Sequence, residues 1–385
     1  VIASMQQAVG RFMFTALAPM IYNIGIIIGI VWFTGGINIF GWQIFDGGIM
    51  GVALGVALGS IMQLLVSAMG LVGLGFDYEF KLHWRNHGFR KVLSLLPARS
   101  VDQGMDYVVS LVEVNLASRL SDGTIRAYQQ ALTLHYMPIN LIGVAISSAA
   151  FPQLSERLAH GRKDLFVKDV RNLLRAMIWM ILPVVAVMFF TRGYIAHFIS
   201  NTGNILIAGI LGVLVVAIAF RTVYHMLART FYVQQDTKTP MYVSFVAIGL
   251  NIILAIWLAM FTSLGAYGLA FAQSIVAVLE VLLLLMILQR RLGNLLNKEL
   301  FMALGRMMMA FLLTAIVIYI FVSILPFRAS DRSFFAAFPK FLVISLAGFG
   351  TYLVTSKLLK IPEVEPVLRQ IKRLLFVRFE VKNKS

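Results

Sequence analysis

The sequence predicts an all-α polytopic membrane protein made of two repeated lobes, and three observations carry that expectation. Of the 385 residues, 59% are hydrophobic and only 13% charged, with a mean hydropathy of +0.85. A soluble domain carries about 25% charged residues. Apolar stretches of roughly 20 residues recur along the chain, each long enough to cross a hydrocarbon core of about 30 Å as a helix. Finally, the charged, turn-like stretch RTFYVQQDTKTPMYVSF at 229–245 echoes GRFMFTALAPMIYNI at 10–24.

About ten spans follow in order, at 13–34, 47–70, 100–120, 124–150, 168–190, 204–228, 240–262, 265–289, 301–325 and 336–358. The connectors alternate in charge. Arg11, the 71–99 and 151–175 loops, Arg229 with Lys238, the 290–306 loop and the tail hold most of the 33 Lys and Arg. The positive-inside rule makes that side cytoplasmic, with the C-terminus inside. Two cytoplasmic segments read as interfacial. YEFKLHWRNHGFRKVLSLL interleaves Phe80, Trp84, Phe89 and Leu93 with Lys81, Arg85, Arg90 and Lys91. The tail stretch VEPVLRQIKRLLFVRF sets Arg369, Lys372 and Arg373 against Leu368, Ile371 and Leu375. Basic amphipathic helices lie flat on anionic bilayers or dock a partner.

The echo reads as a parallel repeat. APM at 18–20 and TPM at 239–241 each begin a span on the basic side. Each span is followed by a short outer loop and a second span opening G-x-x-G-x-A: Gly48, Gly51, Ala53 and Gly265, Gly268, Ala270. Gln63 and Glu280 stand ten residues past the two alanines. Four spans precede the second copy but only a dozen residues precede the first, and the chain opens on Val1, so about four N-terminal helices are expected upstream. The expected organisation is a remnant of an N-terminal lobe at 1–75, an amphipathic linker at 76–99, a six-helix C-terminal lobe at 100–298, two extra helices at 299–360 and a basic tail at 361–385.

Several chemistries are excluded. With no cysteine there is no disulfide, thiolate metal site or cysteine nucleophile. His83 and His87 have helical spacing, but Trp84 stands where a zinc protease needs Glu, and no phosphate-cradling glycine loop with its Lys occurs. No metal site, cofactor or catalytic cluster is expected. The net charge of +16 lies in connectors between spans, which points to anionic phospholipids rather than nucleic acid.

Three stretches carry a family resemblance: GRFMFTALAPMIYNI, YVVSLVEVNLASRLSDGTIRAYQQALTLHYMPINLIGVAISSAAFPQLSE at 107–156, and ARTFYVQQDTKTPMYVSFVAIGLNIILA at 228–255. They are similar to the MurJ/MviN lipid II flippases of the multidrug/oligosaccharidyl-lipid/polysaccharide exporter superfamily. The resemblance implies a two-lobed exporter fold in the bacterial inner membrane. It implies alternating access that moves undecaprenyl-diphosphate-linked peptidoglycan precursor, lipid II, to the outer leaflet, with no covalent chemistry. Many members carry an Asp-Arg pair on the helix matching 124–150, its arginine facing the cavity; here Gln130 and Ala131 stand there. Export of another lipid-linked oligosaccharide or a small cation, and a scaffold recruiting cell-wall synthesis proteins, remain alternatives.

The residues suggest where such chemistry would sit. Carrying a diphosphate through hydrocarbon needs a basic, hydrated cavity, because an unpaired charge there costs several kcal/mol or more. Asp102, Asp106, Ser110 and Glu113 are spaced to share one helix face, and Arg126, Gln130 and Thr133 another, with Arg119 near their outer end. One reading makes Arg119, Arg126, Gln130 and Thr133 a cavity wall and Glu113 an ion-coupling group driven by a proton, sodium or the membrane potential. The other makes them helix–helix contacts. Arg221, with His225 a turn on, either lines the cavity or snorkels to the interface. Asn251 would join Glu113 if the two converge, or else bond between helices, and Glu280 would pair with a loop arginine. Gly47, Gly51, Gly55 and Gly59 form a stripe for close packing or flexing. Pro138 and Pro183 predict kinks, Pro138 being the hinge candidate. In DTKTP, Asp236 is expected to cap the helix that Pro240 starts.

Overall fold

A computed structural model describes residues 13–39, 42–45, 47–73, 107–200, 205–328, 331 and 333–370, with isolated positions 2, 5, 6, 89, 90 and 93. The chain divides into two compact units, 1–89 and 90–385. Asp102, Asp106, nearly all of the 76–99 linker and the tail beyond 370 lie outside the described residues. Among the described residues nine helices are long and apolar enough to cross a bilayer, and a shorter helix, Tyr107–Ser118, stands at the remaining expected span. The protein is a multi-pass membrane protein.

In the first unit, α1 (Met13–Ile28) runs on through one π-helical turn, Gly29–Phe33. Strands β1 (Ile37–Ile39) and β2 (Trp42–Phe45) then form an antiparallel hairpin, Ile39 opposite Trp42, before α2 (Ile49–Met69). This short hairpin is an addition to the otherwise all-α fold that the sequence predicts. The β-branched run around Ile37 and Ile39 pairs its own backbone within the short loop rather than leaving it open. The two helices meet along glycine. An added Cβ at Gly55 would stand 2.5 Å from the Gly29 Cα, one at Gly59 2.5 Å from the Tyr22 carbonyl oxygen, and one at Gly51 2.4 Å from the Phe33 backbone. Gly25 and Gly29 supply the facing surface. Gly47 is not part of this seam: it sits in the preceding turn at φ +82°, against Thr34.

The second unit begins with α3 (Tyr107–Ser118). Then α4 (Thr124–Pro138) passes through a π-helical segment, Ile139–Val144, into α5 (Ala145–Ala159). Pro138 therefore neither ends the helix nor breaks it. Lacking an N–H and crowding the preceding turn, it is followed by a wider i→i+5 register. Gly143 in that segment lets the chain approach α8, its would-be Cβ 3.1 Å from the Thr222 Cα. The helix also outruns the expected end at 150, because Arg157 and Gln153 both reach Asp169 at 3.2 Å and hold the extension against α6. The remaining helices are α6 (Lys163–Phe190), α7 (Arg192–Ile199), α8 (Ile205–Val233), α9 (Lys238–Met260), α10 (Ala266–Leu292), α11 (Lys298–Ile324) and α12 (Phe334–Leu358). Pro183 lies inside α6, which continues through it.

Helix α8 is the pivot of this unit and packs on α4, α5, α6, α7 and α10. Leu211, Leu214 and Ile218 close one core with Leu116, Ala131 and Ala270, and Phe231 closes another with Phe166, Leu284 and Leu288. Helices α11 and α12 add to α6, where the Trp179 indole donates to Ser356 at 3.0 Å. Their outer surfaces expose Phe301, Met308, Leu312, Ile316, Leu346 and Val354, as hydrocarbon-facing helices do. The tail begins by docking rather than lying free: Ile361 and Val364 are buried against this layer, and Glu363 pairs with Arg175 at 2.7 Å.

The hairpins α1–α2 and α9–α10 are built alike. Gly48 (φ 62°, ψ −137°) and Gly265 (φ 51°, ψ −123°) precede their second helices in the same positive-φ conformation, which disfavours a Cβ. Three residues on, Gly51 and Gly268 each press against the backbone at the end of the first helix, at 2.4 Å from Phe33 and 2.5 Å from Leu258. At the start of α9, Asp236 accepts from the Thr239 amide at 3.0 Å and from its hydroxyl at 2.6 Å, and also binds Arg291 at the end of α10. The cap comes from the residue before the N-cap position, since α9 starts at Lys238.

Two outcomes follow. Gly55→Ala should lower the thermal midpoint in detergent, equivalent to about 1–3 kcal/mol of overpacking, whereas Gly249→Ala, which meets nothing within 4 Å, should leave it unchanged or raise it. Partial burial alone would raise the Asp236 pKa, but the Thr239 and Arg291 donors outweigh it and hold the carboxyl at about 2. A depressed carboxylate stabilises the fold above its unfolded pKa of about 3.9 and loses that contribution as pH falls through the folded value. The melting difference between the parent and Asp236→Asn should thus be constant from pH 8 to about 5 and shrink only toward pH 2; a change between pH 6 and 8 would contradict this capping role.

Candidate functional site

Two polar layers cross the second unit. In the first, Arg221 of α8 donates to Glu280 of α10 at 2.8 Å, and Ser244 of α9 donates to the other carboxylate oxygen at 3.1 Å. Since the single Ser244 proton is so used, the Tyr224 hydroxyl, 3.0 Å away, donates to Ser244. The Arg221 guanidinium also lies 5.7 Å from the centre of the Tyr224 ring. Glu280 is 2% exposed and its partner is not a loop arginine. Arg221 sits about 24 Å from the N-terminal end of α8, counting 1.5 Å per residue from Ile205. The buried carboxylate of Glu280 fixes its guanidinium within the helix bundle.

The second layer centres on Glu113. Gln273 of α10 donates to it at 2.8 Å. The buried Tyr128 hydroxyl of α4 lies beside the same carboxyl without a hydrogen bond of normal geometry. Asn251 follows from the α9–α10 register. Ser244 faces Glu280, so the register brings Asn251 and Gln273, seven residues further along each antiparallel partner, to one level about 10 Å away along the helices. Both side-chain polar atoms of Asn251 are buried without a hydrogen-bond partner among the described residues. The guanidinium of Arg221 is within electrostatic reach of Glu113, and of His135 and His225. Glu113 does not share its exposure with Ser110, as their spacing had suggested: Ser110 is exposed, while Glu113 is 2% exposed and turned into the bundle.

A third feature is an open face on α4. Arg126, Gln129, Thr133, Tyr136 and Asn140 are exposed, and Gln130 is half-buried beside them. Their i, i+3, i+4, i+7 spacing puts them on one stripe, which Met137 shares. Thr133 returns its hydroxyl to the Gln129 carbonyl at 2.9 Å. Arg119, exposed, follows the end of α3. Ala131 is fully buried in the core, so of the two positions matched to the family's Asp-Arg pair only Gln130 borders the open face. Arg126, Gln130 and Thr133 thus share one face of α4, Arg119 is exposed just past the end of α3, Glu113 and Asn251 are buried, and Arg221 lies in the other polar layer. Gln129, Tyr136, Asn140, Ser244 and Gln273 were missed. Their signal was available, since each falls three or seven residues from a polar residue already singled out.

A polar stripe on a membrane-spanning helix suits water or a polar headgroup, not hydrocarbon. That arrangement can hold a phosphorylated headgroup by Arg119 and Arg126 while the interior carboxylates stay paired.

The family model described as Lipid II flippase MurJ matches residues 1–337. The probable lipid II flippase MurJ of Thermotoga maritima is 25% identical over 378 residues, covering 95% of this chain and 69% of that protein. The lipid II flippase MurJ of Burkholderia cenocepacia is 25% identical over 73% of this chain and 54% of its own length, and the Vibrio cholerae protein is 28% identical over 61% and 46%. The chain thus spans about two thirds of the first and about half of the others. A solved structure of a lipid II flippase MurJ in an inward closed conformation superposes with a TM-score of 0.68 at 22% identity, covering 93% of this chain and 69% of that one. This likeness shows that the chain shares the fold of that flippase. The chain belongs to the lipid II flippase MurJ family.

Proposed function

We propose that this protein flips lipid II, the undecaprenyl-diphosphate-linked peptidoglycan precursor, across the bacterial inner membrane by alternating access, without covalent chemistry. The open polar face of α4 carries this reading, together with the family match. An apolar protein leaves Arg126, Gln129, Thr133 and Asn140 uncovered on a spanning helix only where something polar meets them. The diphosphate is the group that needs it most. Arg126 and Arg119 bind it as charge-assisted donors, Gln129, Gln130 and Asn140 meet sugars, and the prenyl tail stays in hydrocarbon.

Coupling is assigned to the interior layer. Glu113 and Asn251 supply a carboxylate and an uncommitted amide at one depth, a set that suits a proton or sodium; the membrane potential would drive either inward. The basic connectors lie on the cytoplasmic side with the C-terminus and grip anionic phospholipids. Docking of cell-wall synthesis proteins on the tail is part of the same proposal.

In vesicles loaded with labelled lipid II, Arg119→Ala with Arg126→Ala should slow translocation about tenfold or more, on the scale of one charge-assisted hydrogen bond lost. The thermal midpoint should stay unchanged, since both side chains are exposed. Unaltered translocation would remove the headgroup role. Glu113→Gln should erase the response of transport to an imposed ion gradient; a retained response would move coupling elsewhere. Arg221→Ala leaves Glu280 buried without its cation and should cost about 3–5 kcal/mol, whereas Arg221→Met with Glu280→Leu should recover most of that stability. Recovery of stability without recovery of transport would mark the pair as part of the transport machinery.

A further inference from the structure

A groove of about 480 Å³ lies between the outer turns of α8 and α10, at the end where α6 passes into α7. It shares no residue with the open face of α4 or with the two polar layers. Val213, Val216, Phe271, Ile275 and Val278 form its sides. Ser274 adds no polarity, because its hydroxyl is spent on the Val213 carbonyl at 2.8 Å. Gly209 and Gly212 thin the α8 wall, and the Tyr267 ring fills the first of these notches. Val216, Phe271 and Ile275 are each about 40–46% exposed, so the groove is open along its length. At that depth on a spanning helix its contents are hydrocarbon rather than water.

The mouth is cationic. Arg192 lays its alkyl stem over Gly212, its Cδ 3.0 Å from where a Cβ would stand. Its guanidinium sits 4.8 Å from the Phe189 ring centre and donates to the Phe189 carbonyl at 2.7 Å. It is thereby fixed over the groove with most of its five donors uncommitted. Among the described residues no carboxylate lies within 4.0 Å of it. By the charge bias of the connectors this is the outer side, where basic residues are few.

We propose that this groove is a binding site for an anionic glycerophospholipid of the outer leaflet, one acyl chain between α8 and α10 and the headgroup phosphate on Arg192. The charge balance favours a phosphodiester, with one negative charge for one guanidinium, over a polyprenyl diphosphate, whose greater charge matches the arginine pair near the open face. A held lipid would also seal α8 against α10 on the side away from their cytoplasmic contacts.

The full chain, reconstituted in phosphatidylcholine vesicles with trace phosphatidylglycerol bearing a diazirine on one acyl chain, tests this. Irradiation should label residues within 209–216 and 271–278. Arg192→Gln should lower that labelling about tenfold, the scale of one charged hydrogen bond. Val216→Trp, which fills the groove from a half-open position, should abolish it with Arg192 intact. The proposal fails if a phosphatidylcholine probe labels the same residues equally. It fails too if Arg192→Gln labels like the parent, or if undecaprenyl diphosphate displaces the probe where excess unlabelled phosphatidylglycerol does not.

Discussion

Every polar group carried into hydrocarbon must be paired inside the bundle or face something polar, because solvent is not there to absorb it. The carboxylates of Glu280 and Glu113 obey this constraint, whereas Asn251 is buried with its amide unpaired among the described residues. Arg221 is bonded to Glu280, and Glu280 to Ser244, so that a cation, a carboxylate and two hydroxyls form one connected set across α8, α9 and α10. Two turns away Glu113 rests on Gln273. Once those interior charges are satisfied, the residues of α4 left outside the bundle are the ones available to a ligand. Interior pairing and open face are thus two consequences of a single rule.

The seven-residue interval between the layers is a property of the α9–α10 hairpin. Gly265 turns the chain with a positive φ, and Gly268 brings α10 onto the backbone at Leu258. That contact sets the antiparallel register, and the register decides that Ser244 meets Glu280 and that Asn251 comes level with Gln273. A bulkier residue at 268 would push the helices apart and separate both layers at once. The first unit repeats the device with Gly48 and Gly51, yet its facing helix contributes Gly25 and Gly29 where α9 has larger residues. The first hairpin consequently packs backbone to backbone, leaving no room for a polar layer along the same seam.

Much of this was legible in the sequence because hydropathy, charge bias and glycine spacing act locally. Spans such as Met13–Phe33 and Ala266–Leu292 fall within three residues of their expected limits, and the G-x-x-G-x-A signature marks both hairpins. What could not be read was which helices face which. Glu280 alone says only that an acid is buried; its partner lies 59 residues away on a helix that is not its neighbour in sequence. Likewise Glu113 and Ser110 sit close on a helical wheel, but packing of α10 covers one and not the other. The β1–β2 hairpin was missed because a short outer loop offered no periodicity long enough to register. GIIIG at 25–29 was a usable signal that went unread.

The placement of Ala131 bears on how family chemistry transfers to this chain. Aligned positions suggest that a wall arginine has been lost at 130–131, but residue 131 is fully buried among Ala127, Leu134 and the α8 core. A cation on this wall has to enter at 126, 129, 130, 133 or 140, the positions the helix leaves uncovered. Arg126 already occupies one of them, a single turn from Gln130, and Arg119 stands at the same end of the adjoining helix. Arg126 stands five residues before Ala131, about 7.5 Å along the helix at 1.5 Å per residue, and on the uncovered stripe rather than in the core. The uncovered face of α4 is thus polar through Arg126, Gln129, Thr133 and Asn140, whichever residues stand at 130 and 131.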